Sequence, residues 1–265
     1  FVASTIKVHL TPSIAPVSID VFLRLPVEPR LKSGGSIITK AFYRKVMGWQ
    51  AKDSGLADRS YTILAVGDVA VGGLMPLPDD ARARGVPPCW TGYIGVDDVD
   101  ACAARVREAG GTIAHPPQDI PSVGRYAVIA DPQGAVVVLF QGMGKPPDAA
   151  DTSSAPGHVG WHELHAVDGA TAFDFYARLF GWTKADAIDM GAMGIYQLFA
   201  TGGAPVGGMM TRTPETPHPF WLYYFNVEGI DAAIARVKES GGTLVNGPHE
   251  VPGGSFIAQC LDPQR

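Results

Sequence analysis

The chain has 265 residues, enough for two domains at about 150 residues each. With 46% apolar and 18% charged residues it packs cores rather than staying disordered, and a net charge of −5 without a Lys/Arg cluster excludes the footprint of a nucleic-acid binder. No run of about 18 apolar residues is present to span a membrane, and three cysteines without a CxxC pair argue for a reducing, cytoplasmic setting rather than a disulfide framework.

The first 38 residues begin without Met and without a basic-then-apolar signal pattern, so a trimmed start is expected. Within them "SIDVFLRLP" (Ser18 to Pro26) alternates as a strand does, whereas "EPRLKSGGS" (Glu28 to Ser36) carries Pro and Gly where a strand would run. From residue 39 onward the chain repeats itself. "AFYRKVMGW" at Ala41 returns as "DFYARLFGW" at Asp174, and "VGGLM" at Val71 returns as "VGGMM" at Val206. "YIGVDDVDACAARVREAGGT" at Tyr93 returns as "YFNVEGIDAAIARVKESGGT" at Tyr224, and "DPQ" at Asp131 returns at Asp262. These separations stay between 131 and 135 residues, which marks two tandem copies of one domain. The predicted division is an unmatched segment over 1–38, a first domain over 39–141, a Pro/Gly/Ser/Asp-rich linker over 142–157 and a second domain over 158–265.

In the first copy, Val99, Cys102, Val106 and Ala109 form one helical stripe, and Cys102 on it reads as a buried core thiol. Gly72-Gly73 and Gly207-Gly208 lie in strands and are expected to permit bends or bulges. In the second copy "WHELHAV" is a short strand. Asp168 caps a helix with Ala170, Phe173, Ala177 and Phe180 on its apolar face, and Gly181 ends it. Strands are predicted near Lys184–Ile188, Ile195–Ala200, Val206–Thr211 and Phe220–Val227, then a helix from Ile230 to Ser240 and strands near Thr243–Asn246 and Ser255–Leu261. Trp49 and Trp182, just past helix ends, are assigned to the core. His115, His218 and His249, beside prolines, are assigned to solvated loops.

A strand, then "FY-x-x-x-FGW" ending a helix, then "VxxxDAxxARVxExGGT", then "DPQG" before a last strand resembles the vicinal oxygen chelate superfamily of glyoxalases, bleomycin-resistance proteins and extradiol dioxygenases. The resemblance covers about Thr39 to Gln141 and Gly157 to Arg265. It implies an α+β fold of tandem glyoxalase-like domains, each of paired βαβββ modules whose curled sheets surround a cavity. Against that pattern, the first copy's opening strand is either "SIDVFLRLP" reached through a longer loop or absent because the stretch is foreign. The second copy ends before its final strand. An unpaired edge in each domain would invite a neighbouring strand, and so a homodimer.

The "WHELH" stretch invites a metal reading, yet its histidines are three apart on a strand rather than four apart on a helix. Alternation puts Trp161, Glu163 and His165 on one face and His162 on the other, so both imidazoles cannot reach one ion. The resemblance places family metal ligands on the first, fifth and eighth strands. Here those positions fall on Trp161, on Leu222 or Thr91, and on Val138. Indole, alkyl and lone hydroxyl groups are poor ligands for divalent ions. No cofactor is therefore predicted, with a divalent metal at Glu163 and His165 as the minor alternative. The expected ligand site is Trp161, Glu163, His165, Tyr224 and Asn226 in the second domain, with Thr91 and Tyr93 at the equivalent face of the first. Binding of a small organic molecule is the leading expectation. A lyase, isomerase or dioxygenase using an atypical metal or Glu163/His165 acid–base chemistry is the alternative, and a non-catalytic interaction protein the third.

Overall fold

The computed structural model describes residues 4–5, 19–25, 34–56, 60–143 and 154–264. In chain order its elements are β1 (Ser4–Thr5), β2 (Ile19–Leu25), α1 (Gly34–Met47), β3 (Gln50–Asp53), β4 (Thr62–Val66), β5 (Val69–Pro76), α2 (Asp79–Ala83), β6 (Cys89–Gly95), α3 (Val99–Glu108), β7 (Thr112–Ile120), β8 (Gly124–Ala130) and β9 (Val136–Gly142). The second half continues with β10 (Val159–Ala166), α4 (Gly169–Phe180), β11 (Thr183–Asp189), β12 (Ile195–Ala200), β13 (Pro205–Thr211), β14 (Phe220–Phe225), α5 (Ile230–Glu239), β15 (Thr243–Val251) and β16 (Ser255–Leu261). No helix among the described residues is long and apolar enough to cross a membrane.

Two eight-stranded sheets result, ordered β3-β4-β5-β2-β6-β9-β8-β7 and β11-β12-β13-β10-β14-β1-β16-β15. They match strand for strand, as the paired βαβββ modules require. In each module the first strand runs parallel to the last, β2 with β5 and β10 with β13, which a helical crossover permits. Two findings bear on the strands that the sequence left open or missing. Residues 19–25, inside the segment assigned as unmatched, form the first strand of the first sheet, so "SIDVFLRLP" takes that role; residues 28–33 of the competing stretch lie outside the described residues. The final-strand place of the second sheet is not vacant either. There β1 lies parallel to β14 and antiparallel to β16, just as β9 lies against β6 and β8. Both gaps that would have invited a neighbouring chain's strand are filled from within this chain.

The helices form where local chemistry dictates. The Asp168 side chain accepts from the Thr171 N–H at 2.7 Å and caps α4, and Gly181 closes it with φ of 70°. Asp98 caps α3 in the same way through Ala101. Cys102 is fully buried and burial pushes its thiol up; that of Cys260 is pushed up to about 11, so neither is a reactive thiolate at neutral pH.

One apolar core joins both halves. Helix α1 packs on α5, α3 on α4, and β14 faces β6. In the first half Tyr43 stacks on Trp49 and meets Trp90 edge-on at 5.3 Å; in the second Tyr176 stacks on Trp182 and meets Trp221 edge-on at 5.3 Å. Both tryptophans assigned to the core are buried there. The two motifs are cross-linked: the Tyr43 hydroxyl donates to Asp262 at 3.1 Å and the Tyr176 hydroxyl to Asp131 at 3.2 Å. Each "FY" tyrosine thus reaches the "DPQ" aspartate of the opposite half. Gln133 adds to the joint, exchanging hydrogen bonds with the backbone of Asp168. At the centre, the Gly92 N–H donates to the Tyr223 hydroxyl at 2.7 Å, a closeness that only a residue without a side chain allows.

Candidate functional site

Strand β10 sits between β13 and β14, so its alternate side chains are presented on a fully paired central strand. The alternation holds as predicted. His162 points to the far face, where its Nδ1 lies 2.9 Å from the Val206 carbonyl and its ring meets Tyr223 edge-on. Trp161, Glu163 and His165 share the near face and converge with two tyrosines.

The Glu163 carboxylate is the hub. Its Oε1 accepts from His165 Nε2 at 2.7 Å and from the Tyr224 hydroxyl at 2.9 Å. Its Oε2 accepts from the Tyr196 hydroxyl at 2.8 Å, and that hydroxyl accepts from Trp161 Nε1 at 2.7 Å. Burial alone would push the carboxyl up. The hydrogen bond and charge of His165, with the two tyrosine hydroxyls, outweigh it and hold Glu163 below the ordinary carboxylate range. The tyrosines are pushed well above their ordinary value, first by burial and then by the neighbouring carboxylate. Glu163 is therefore an anion and the tyrosines are donors. A carboxylate acceptor requires a proton on His165 Nε2, so Nδ1 is the ring nitrogen left facing away from Glu163. The imidazole lies flat on Phe220, with centroids 4.7 Å apart and planes 2° apart, and 16% of its side chain stays exposed.

Tyr196 was not among the residues predicted for this site. It reaches Glu163 from β12 by folding across β13 at Gly208, where a Cβ would strike its ring. The glycine pair was expected to bend the strand. The β12 pairing shifts register next to Gly207, between Phe199 and Ala200, so an irregularity does adjoin the pair, and the pair also makes room for aromatic rings.

Asn226 does not join the cluster. It is buried at the end of β14, where its amide donates to the Ala155 carbonyl and its backbone pairs with Gly157 and His158, tying down the chain that enters β10. The first-sheet equivalents also differ. Thr91 is buried beside Cys89, and Tyr93 packs with Val128, Val138 and Phe140 in a small apolar cluster. Phe22 pairs with Thr91 as Glu163 pairs with Leu222, so the first sheet has a phenyl residue at the hub position. His115 and His249 lie in β7 and β15 rather than in loops. His115 stacks on Tyr126, His249 approaches the Asn246 side chain at 2.6 Å, and His218 is exposed between strands.

The donor set does not fit the family's metal triad. Its three positions in the second sheet carry Trp161, Leu222 and, by the pairing of β1, Thr5, which opposes Tyr224 as Val138 opposes Tyr93. Both Glu163 oxygens are already engaged, and no group of three His, Cys, Asp or Glu side chains converges among the described residues.

Paired βαβββ modules in two matching sheets, with a buried acid–imidazole–tyrosine cluster on one of them, define a two-domain α+β protein of the glyoxalase-like class. The chain belongs to the Glyoxalase/Bleomycin resistance protein/Dioxygenase superfamily, whose family model matches residues 39–139 and 156–265. It is 33% identical over 228 residues to the "Putative glyoxylase CFP32" of Mycobacterium tuberculosis, with 85% of each chain covered. It is 36% identical over 183 residues to the "Anthracycline biosynthesis protein DnrV" of Streptomyces peucetius, covering 68% of this chain and 64% of that one. Its fold is similar to that of the Mn(II)-bound glyoxalase from Novosphingobium aromaticivorans, with a TM-score of 0.57 at 16% identity over 93% of this chain and 84% of that one. The 2,3-dioxygenase LapB from Pseudomonas sp. KL28 gives a TM-score of 0.55 at 13% identity over 88% and 83%.

Proposed function

We propose that the chain binds a small organic molecule against the second sheet, at the His165 side of the Glu163 cluster, without the family's metal triad. The observation that carries this reading is the saturated Glu163 carboxylate. Three donors hold it, so it orients His165 rather than an ion, and the imidazole offers one nitrogen beside the flat face of Phe220. A flat apolar wall with one oriented polar group suits a planar, hydrogen-bonding ligand. The similarity to an anthracycline biosynthesis protein makes an anthracycline a sensible first probe. The three free cysteines, two of them buried, support a cytoplasmic setting.

The Glu163–His165 pair also favours a second reading, acid–base catalysis. Glu163 would fix the ring and Nδ1 would take a proton from a bound carbon or hydroxyl acid. Metal content after loading with Zn, Ni, Mn or Fe(II), alongside an anthracycline titration read by tryptophan fluorescence with Trp161→Phe as the control, tests both. Saturable quenching that is lost in His165→Leu, with no stoichiometric metal, is expected. One metal ion per chain that disappears in Glu163→Gln would overturn the metal-free site.

A further inference from the structure

An open cleft of about 790 Å³ lies between α1 and β3 at the edge of the first sheet, whereas the Glu163 cluster is on the second. Its walls carry Lys40, Arg44, Lys45, Lys52 and Gln50, with the small side chains of Ala41 and Ala51 between them, and among the described residues no carboxylate lines it. Lys45 is engaged by Glu239 of α5 at 3.1 Å. Lys40, Arg44 and Lys52 have no carboxylate partner among the described residues. The C-terminal end of α1 favours cations at Arg44 and Lys45 through the helix dipole. That preference does not reach Lys40, a turn earlier, or Lys52, on the strand. Three cations without a carboxylate partner around one hollow, in a chain of net charge −5, are a local arrangement that an anion would relieve.

The second half shows how the hollow arises. Lys40 and Ala51 correspond to Phe173 and Lys184 through the repeat, and the strand registers agree: Ala51 pairs with Leu64 as Lys184 pairs with Phe199. In the second half the Lys184 ammonium lies over the Phe173 ring, 5.1 Å from its centroid, and covers that place. In the first half the ring has become a lysine and the covering lysine an alanine. The same pair of positions that closes one half opens the other and makes it basic.

We propose that this cleft binds a phosphorylated small molecule. Its volume lies within the range of about 300–1,000 Å³ usual for small-molecule sites. The Arg44 guanidinium offers the planar fork that engages two phosphoryl oxygens at once, and the lysines supply point charges for a ligand carrying several negative charges. The site is separate from the one proposed on the second sheet, and neither depends on the other.

Calorimetric titration of the full chain with inorganic pyrophosphate at low ionic strength tests this. One saturable site per chain is expected, weakened about tenfold or more in Arg44→Gln/Lys52→Gln, since charge-assisted hydrogen bonds are lost. Lys40→Phe/Ala51→Lys, which rebuilds the closed arrangement of the second half, should abolish binding while the circular dichroism and thermal midpoint stay those of the wild type. Absence of a saturable site, or equal affinity in Arg44→Gln/Lys52→Gln, would overturn the proposal. Citrate binding as tightly as pyrophosphate would overturn the phosphoryl assignment. Binding to phosphatidylglycerol vesicles without binding to pyrophosphate would overturn the small-molecule assignment.

Discussion

Glu163 is buried, ionised and surrounded by three donors, and each feature has a measurable consequence. Replacing it by Leu leaves the Tyr196 and Tyr224 hydroxyls and the His165 N–H without their acceptor. Chemical denaturation should show a loss of about 3–5 kcal/mol, the usual cost of breaking a buried charged pair. Glu163→Gln, which keeps one acceptor oxygen and removes the charge, should cost less. Because the folded carboxyl lies below its ordinary value near 4.3, its contribution is complete above that pH and is lost as the pH falls through the lower folded value. Wild-type stability should therefore decline more steeply than that of Glu163→Gln as the pH falls below about 4.3. A variant as steep as the wild type would mean that Glu163 is not held ionised. The shared face of Trp161, Glu163 and His165 was legible in sequence because strand alternation is a local rule. Tyr196 was not, since its place depends on the register of β12 against β13 and of β13 against β10.

At the scale of elements, the cluster depends on one missing side chain. Gly208→Ala puts a methyl group into the Tyr196 ring, which must leave Glu163 or push β12 away from β13. A destabilisation of about 1–3 kcal/mol, with altered Trp161 emission, is expected from overpacking at this position. Unchanged stability and emission would show that Tyr196 does not cross the strand there. Asp168→Ala removes the cap of α4 and should cost about 1 kcal/mol in the same denaturation assay. Caps and helix ends could be read ahead of the structure because they are written within four residues. The filling of the second sheet's last-strand place by Ser4–Thr5 could not, because nothing near residues 4–5 or 261 encodes a pairing across the whole chain. Asn226 shows the same limit. It was expected to line the ligand site, but its partners come from the segment entering β10 rather than from the Glu163 cluster.

For the whole molecule, the exchanged tyrosine–aspartate contacts and the continuous core make the two halves one cooperative unit. Unfolding followed by tryptophan fluorescence and by circular dichroism should give coincident midpoints. Tyr176→Phe, which takes the donor from Asp131 Oδ2 and the acceptor from the Trp221 N–H, should destabilise the chain by about 1–3 kcal/mol without splitting the transition. Two separate transitions would show that the halves fold independently. The exchange also bears on how a duplicated gene can change. A substitution in either "DPQ" turn is felt by the helix of the opposite half, so the frame of each copy is answerable to the other. The Glu163 cluster has no such tie, since it is built within a single sheet, whereas the basic cleft touches the opposite half through Lys45 and Glu239. The scaffold of each half is thus bound to its twin, while the Glu163 cluster stays at liberty to acquire a chemistry of its own.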